Sequence, residues 1–543
     1  MGFAQREVPV EEKSAGAGAE ARALDGALES LQRHLATLAE AAEGPRRELL
    51  RAHAELVRDP ELVSRANSLV RAGKSAGHAW REATRATAGA LAAMDDARMN
   101  ERAADLRDLE GQVLRILRGE PPAARREIPA HAIVIADDLL PSQLIALDAS
   151  RIAGICLARG GATSHLAILA ASAGIPALVA AGPAVLAIAD GTPVILDAER
   201  GWLDVDPPGE KLAAAGDDAA RRASERAADL AGAREPAVTA DGVRIIVNAN
   251  AGSVADARAA VENGADGCGL LRTEFLFLDR RDAPDEEEQA LEYGRIAEAF
   301  AGRPVSIRTL DVGGDKPIAY LPLPREENPA LGLRGVRVSL AHPQLLRAQL
   351  AAIIRAAASS PCRILVPMVN EAAELSVVRE MAAACADEAG LALPPLGVMI
   401  ETPAAALAAG ALSRNADFLS IGSNDLSQYA LAIDRGHADL ARGLDALHPA
   451  VLLLIAATVE GARTQGRSVS VCGAMASDVE ALPLLIGLGV REISATPSAI
   501  PRLKRLVRAL NAGECARLAG RALDQESAAG VRALVQSASG APQ

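Results

Sequence analysis

Residues 396–425 read LGVMIETPAAALAAGALSRNADFLSIGSND. An apolar run, Leu396 to Ile400, ends in the carboxylate Glu401, an alanine-rich helical segment follows, and a second apolar run, Phe418 to Ile421, leads to Asn424 and Asp425. Short unbroken apolar runs bounded by polar residues suit strands buried on both faces, and their alternation with helices predicts a parallel sheet. Six more such runs occur in order: Val243 to Asn248, Gly267 to Leu271, Val305 to Thr309, Ile364 to Met368, Val469 to Cys472 and Glu492 to Ser494. Eight strand–helix units in succession predict a (β/α)8 TIM barrel over residues 237–543.

Barrel chemistry sits at the C-terminal strand ends, so the residues that follow each run are the informative ones. They are Asn250, then Arg272-Thr273-Glu274, Arg308 with Asp311, Asn370, Glu401, Asn424-Asp425 and Cys472. Arg272 and Arg308, from neighbouring strands, are suited to clamp a phosphate, and Arg334 and Arg435 stand in loops on the same rim. Any one of these arginines reads more readily as a surface residue than as a ligand; four on one predicted rim are harder to dismiss. Glu401 and Asp425 end adjacent strands and offer hard oxygens for Mg²⁺, or else salt bridges to the arginines. Cys472 is either a proton donor to a bound substrate or an inert core thiol.

Upstream, residues 121–208 alternate short β-rich runs (Ala132 to Ile135, Ile152 to Leu157, Ala177 to Val179, Val194 to Leu196) with helices, a small α/β domain. Within it, Gly160-Gly161-Ala162-Thr163-Ser164-His165 reads as a glycine turn and a helix start capped by Thr163 or Ser164. That sets His165 in the first helical turn, where free N–H groups and the helix dipole favour an anion. A neutral imidazole there suits a phosphoryl carrier; a structural histidine is the alternative. Residues 209–236 have the composition of a linker helix, and residues 1–120 are largely helical, with apolar positions at Leu24, Leu28, Leu31, Leu35 and Leu38 predicting a bundle.

The net charge of −13 over 543 residues and the absence of a Lys/Arg-rich run argue against nucleic-acid binding. The six cysteines lack metal-ligand or disulfide spacing, no leader-like apolar core opens the chain, and no apolar run reaches membrane-spanning length. The expectation is a cytoplasmic protein without membrane insertion.

The segments GGATSHLAILA, GLLRTEFLFLDR, SIRTLDVGGDKP, NPALGLRGVR, GVMIETPAA, SIGSNDLSQYALAIDRG and SAIPRLKR, with HAELVRDPEL and ERAADLRDLEGQVLRIL in the helical region, together resemble Enzyme I of the bacterial sugar phosphotransferase system. That family comprises the phosphoenolpyruvate–protein phosphotransferases, and the resemblance covers nearly the whole chain in one order. It implies a helical phosphocarrier-binding region inserted beside a swivelling phosphohistidine domain, followed by a phosphoenolpyruvate-binding barrel that forms a homodimer. It further implies Mg²⁺-dependent transfer from phosphoenolpyruvate to His165 and then to a histidine of the small carrier HPr. By position, Arg272, Arg308, Arg334, Asn424 and Arg435 match substrate ligands, Glu401 and Asp425 the metal ligands, and Cys472 the acid that protonates the enolate.

Three departures stand out. The chain starts almost at Gly2-Phe3-Ala4, where the family has a strand and a Ser-Pro-Gly turn, so a strand is expected to be missing or to lie upstream. Leu144 replaces a threonine that orients the histidine, and Ala474 replaces a glutamate beside Cys472. Two alternatives stay in view. A pyruvate phosphate dikinase or phosphoenolpyruvate synthase relative would need an ATP-binding domain, for which there is neither a glycine-rich loop nor spare length. A non-catalytic regulator would not need His165, Glu401, Asp425 and Cys472 all to be present.

Overall fold

The computed structural model describes the chain apart from residues 1, 4–7, 13, 15, 42–43, 94–96, 123–127, 140–142, 145–146, 148–150, 161–166, 168–169, 171–173, 199, 279, 281, 314–317, 319, 322, 325, 438 and 539–543. It divides into two compact units, Met1–Arg221 and Arg222–Gln543, the division falling inside the helix Gly209–Ala231.

The first unit opens with two strand residues, β1 (Gly2–Phe3), followed by helices α1 (Ala17–Ala41), α2 (Gly44–Leu56), α3 (Pro60–Arg71), α4 (Ala76–Ala92) and α5 (Ala97–Leu117). Leu24, Leu28, Leu31 and Leu35 lie buried along one face of α1, as their spacing predicts, and pack with Val70, Trp80 and Leu109. Asp59 caps α3 through the N–H groups of Glu61 and Leu62, both at 3.0 Å, with Pro60 pre-set at the first helical position.

A parallel sheet follows in the order β1, β2 (Ala132–Ala136), β3 (Ile152–Leu157), β4 (Ala177–Leu178). Gly2 and Phe3, the residues that would follow the expected turn, pair in parallel with Ile135 and Ala136 at the sheet edge. Beside this sheet β5 (Val194–Asp197) and β6 (Trp202–Val205) form an antiparallel hairpin. The sequence pattern shows only the first of these two strands, because the half-exposed β6 lacks an apolar run. Gly160 takes φ 98°, the left-handed turn expected after β3. His165 lies outside the described residues, as do Thr163 and Ser164.

The second unit bears out the barrel. After the short β7 (Ala237–Val238), eight strands run in chain order: β8 (Arg244–Ala251), β9 (Cys268–Leu271), β10 (Val305–Arg308), β11 (Cys362–Val366), β12 (Leu396–Ile400), β13 (Phe418–Gly422), β14 (Ser468–Cys472) and β15 (Glu492–Ala495). Each pairs in parallel with the next, and β15 closes on β8 through Glu492↔Ile246 to Ala495↔Ala249. Side chains alternate across each strand. Ile364, Val366, Val398 and Ile400 join the large core shared with the helices, whereas Leu365, Met399, Phe418 and Cys472 gather with Leu270 in a separate small cluster. Among the described residues, no helix is long and apolar enough to cross a membrane.

Candidate functional site

The strand ends of the barrel hold a ladder of alternating charges. Arg308, the last residue of β10, is 5% exposed. Its guanidinium pairs with Glu274 and, at 3.2 Å, with Asp311. Asp311 in turn takes Arg334 through two bonds, from Nε at 3.1 Å and from Nη2 at 3.2 Å. The other terminal nitrogen of Arg334 donates to Asp425 Oδ1 at 2.7 Å, and Arg435 stands 3.6 Å from Asp425 Oδ2. The ladder therefore runs Glu274–Arg308–Asp311–Arg334–Asp425–Arg435, linking the ends of β9, β10 and β13.

Burial alone would make Arg308 and Arg334 easier to deprotonate, yet the carboxylates around them outweigh it and hold both firmly charged. Arg308 Nε is buried without a hydrogen-bond partner, a donor unused by the chain. Both arginines are buried rather than perched on an open rim, whereas Arg272 is exposed just past β9. Below the ladder, a chain of neutral bonds fixes the strand ends. Thr273 Oγ1 donates to the Arg308 carbonyl at 2.9 Å, and Gln349 donates to Thr273 and to the Tyr293 hydroxyl. The Leu310 N–H donates to Gln349 Oε1 at 2.8 Å.

Glu401, just past β12, is 1% exposed. The N–H of Met368 donates to its Oε2 at 2.9 Å, and Met368 adopts φ 59°, a strained conformation for a residue with a side chain. Among the described residues no arginine or lysine lies within ion-pair distance of Glu401. Burial first, then the neighbouring charges of Asp425 and Asp311, push its carboxyl up to about 8 against the pull of Arg308 and Arg334. Of the two alternatives left open for these carboxylates, Asp425 makes the arginine salt bridge and Glu401 does not.

Of the two carboxylates, Asp425 is paired with arginine and, among the described residues, Glu401 is not. No cluster of three His, Cys, Asp or Glu among the described residues could hold a metal by itself. Two carboxylates at adjacent strand ends nevertheless fit Mg²⁺, which completes its shell with substrate oxygens and water.

Asn424 is the second residue of the helix Ser423–Leu431, and its Oδ1 accepts the Ala474 N–H at 2.9 Å. This ties the end of β13 to the turn after β14. The turn requires glycine: Gly473 has φ 94°, and a Cβ there would stand 2.5 Å from Ser423 Oγ. Cys472 is 1% exposed. Its thiol contacts Ser420 Oγ at 3.7 Å and the Ile421 carbonyl at 3.4 Å. Burial is the main cause that pushes it up to about 11, so the sulfur is protonated at neutral pH.

The structure thus gathers Arg308, Arg334, Glu401, Asn424, Asp425, Arg435 and Cys472 at one end of the barrel. Glu274 and Asp311 are visible in the sequence as polar strand-end residues, but nothing there shows that they are the counter-ions of the arginines. Met368 carries no sequence signal at all.

Guanidinium groups and carboxylates thus stand together at the strand ends of a TIM barrel. Three family models match in order: PEP-utilising enzyme, N-terminal over residues 3–102, its mobile domain over 128–201, and its PEP-binding domain over 226–512. The chain is 45% identical over 493 residues to a multiphosphoryl transfer protein of Rhodobacter capsulatus, covering 90% of this chain and 60% of that protein. It is 44% identical over 491 residues to a multiphosphoryl transfer protein of Xanthomonas campestris, covering 90% and 58% respectively. A phosphoenolpyruvate-protein phosphotransferase of Haloferax volcanii is 41% identical over 489 residues, covering 88% of this chain and 85% of that one. The chain belongs to the phosphoenolpyruvate–protein phosphotransferase family of PEP-utilising enzymes. It spans only 60% and 58% of the two multiphosphoryl transfer proteins it matches.

Proposed function

We propose that this chain transfers the phosphoryl group of phosphoenolpyruvate, with Mg²⁺, to a ring nitrogen of His165 and then to a histidine of a small phosphocarrier protein of the HPr type. The wider setting proposed is the first step of a sugar phosphotransferase system, in the cytoplasm, by a homodimer joined through its barrels. In domain terms, residues 1–120 would dock the carrier, 121–208 would bear His165, 209–236 would link, and 237–543 would bind phosphoenolpyruvate.

The observation that carries the reading is the buried ladder from Glu274 to Asp425 with its unused Arg308 Nε. Its guanidinium groups are charged and held in place before a substrate arrives, which is the preorganisation that phosphoryl transfer needs. Arg272, Arg308, Arg334, Arg435 and Asn424 would hold phosphate and carboxylate. Glu401 and Asp425 would hold Mg²⁺, which neutralises phosphoryl charge when bound.

The neutral imidazole of His165 attacks phosphorus, and the enolate oxygen leaves with the electron pair. The Cys472 thiol then delivers its proton to the methylene carbon, giving pyruvate, and the thiolate recovers a proton from solvent. The test is incubation of the purified protein with Mg²⁺ and labelled phosphoenolpyruvate. Acid-labile, base-stable label that is absent from His165→Ala is the expected result. Well-folded protein that takes no label overturns the reading, and ATP-dependent label would point to a dikinase instead.

A further inference from the structure

The last helix of the chain, Ala528–Ala538, buries Val531, Leu534 and Val535 in the barrel's outer core and presents Arg532 to two loops. Arg532 grips Asp445 with a two-pronged fork, Nε to Oδ2 at 2.8 Å and Nη2 to Oδ1 at 2.9 Å. Its remaining nitrogen reaches Asp478 at 3.4 Å and also Glu480. Gln536, one turn on, donates to Glu480 Oε1 at 2.9 Å.

Asp445 lies in the loop that follows Arg435, and Asp478 and Glu480 lie in the segment that follows Cys472 and Gly473. Both loops are tied to the candidate site at their near ends. The Arg435 N–H donates to Gln428 Oε1 at 3.2 Å, from the helix that carries Asn424 and Asp425. The Ala474 N–H donates to Asn424 Oδ1. The near ends are therefore fixed by the site itself, and the far ends converge on one guanidinium.

Arg532 is about a third exposed, so its ion pairs individually add little stability. What the planar fork supplies is geometry, since one rigid group sets the separation of two loops. Lysine could pair with one carboxylate at a time but could not reproduce that spacing.

We infer that Arg532 is a positioning residue that holds the Arg435 loop and the Cys472–Ala474 turn at the separation the substrate requires. It touches no reacting group. The kinetic consequence rests on the proposed phosphotransfer, whereas the geometric consequence does not.

The test uses the full chain and the variants Arg532→Leu and Arg532→Lys, with Arg505→Leu as a control. Arg505 pairs with Asp229 elsewhere on the barrel unit. Amide exchange without substrate is expected to quicken about tenfold in residues 434–448 and 473–480 of Arg532→Leu, and nowhere else. The KM for phosphoenolpyruvate should rise about tenfold through Arg435, with a smaller fall in kcat through Cys472. Arg532→Lys should fall between, and Arg505→Leu should change neither loop.

Unchanged exchange in both loops overturns the inference, as does loosening spread evenly over the barrel or loosened loops with wild-type KM. If Arg532→Leu fails to fold, Arg532→Lys decides on the same readouts. If the wild-type chain takes no label, the phosphotransfer reading fails, and loop exchange alone decides the clamp.

Discussion

Arg334 donates to Asp425 at 2.7 Å and thereby gives a proposed metal ligand a cation of its own, while the neighbouring Glu401 has none among the described residues. The two carboxylates are thus unequal before any metal binds. A divalent ion entering here gains most at Glu401 and must share Asp425 with the guanidinium. Ligand that binds only the folded state raises stability by about 2.7 kcal/mol at a hundredfold excess over Kd. Saturating Mg²⁺ is therefore expected to raise the thermal midpoint of the wild-type chain. Glu401→Gln should lose nearly all of that shift and Asp425→Asn a large part of it. An equal shift in all three proteins would place the binding elsewhere.

Cys472 offers a sharper choice, because its two sequence-level alternatives differ in pH behaviour and in turnover. With the thiol pushed up to about 11, it stays protonated across neutral pH and loses its proton only in strong base. A proton donor of this kind gives a pyruvate-forming rate that is flat from about pH 6 to about pH 9 on its own account, then falling. Cys472→Ala removes a single buried sulfur and should fold, with turnover lowered by about a hundredfold or more. Pyruvate formation by Cys472→Ala at the wild-type rate would make the residue a core filler beside Met399 and Phe418.

The barrel was legible because eight apolar runs each had to be buried on both faces, a requirement written directly into composition. The rim residues were legible because the fold assigns chemistry to the strand ends. The pairing was not. Whether Asp311 meets Arg308, Arg334 or both depends on the turn Leu310–Gly313 and on Gln349, which arrives from a helix 39 residues further along and accepts the Leu310 N–H. The strained Met368 that orients Glu401 likewise follows from loop closure, not from residue type. Strand β6 is not legible for the opposite reason, since its residues stay partly in water and need no apolar run.

His53 is expected to make the helical bundle pH-sensitive. It is 2% exposed on α2, with Nε2 3.1 Å from Asp105 Oδ1 on α5, close enough for an ion pair although the N–H is not well aimed for a linear bond. Burial pulls its pKa down, but Asp105, with Asp108 beyond it, outweighs burial and raises the value above the ordinary 6.5. A raised value in the folded state means the contribution is complete below about pH 6.5 and is lost as pH climbs through the folded value. Urea unfolding followed by the fluorescence of buried Trp80 should therefore show bundle stability falling as pH rises above neutrality. His53→Gln should flatten that slope. An identical slope in the variant would assign it to other groups.

Leu144 stands where the family resemblance leads one to expect a threonine that orients the active histidine. Here its side chain is 8% exposed and packs among Leu49, Val134, Leu139, Leu147 and Ile155. Leu49 comes from α2, so this cluster joins the sheet to the helical bundle within the first unit. Restoring threonine would delete buried methyl groups and set a hydroxyl among aliphatic neighbours. Each change is costly, and together they should lower stability by about 2 kcal/mol. Leu144→Thr is accordingly expected to show a lower urea midpoint with no gain in phosphoenolpyruvate-dependent labelling of His165. A variant at least as stable as wild type that also labels faster would mean the hydroxyl finds a partner, and that position 144 still serves the histidine. The two outcomes differ in sign on both measurements, so one preparation of the variant separates a packing role from an orienting one.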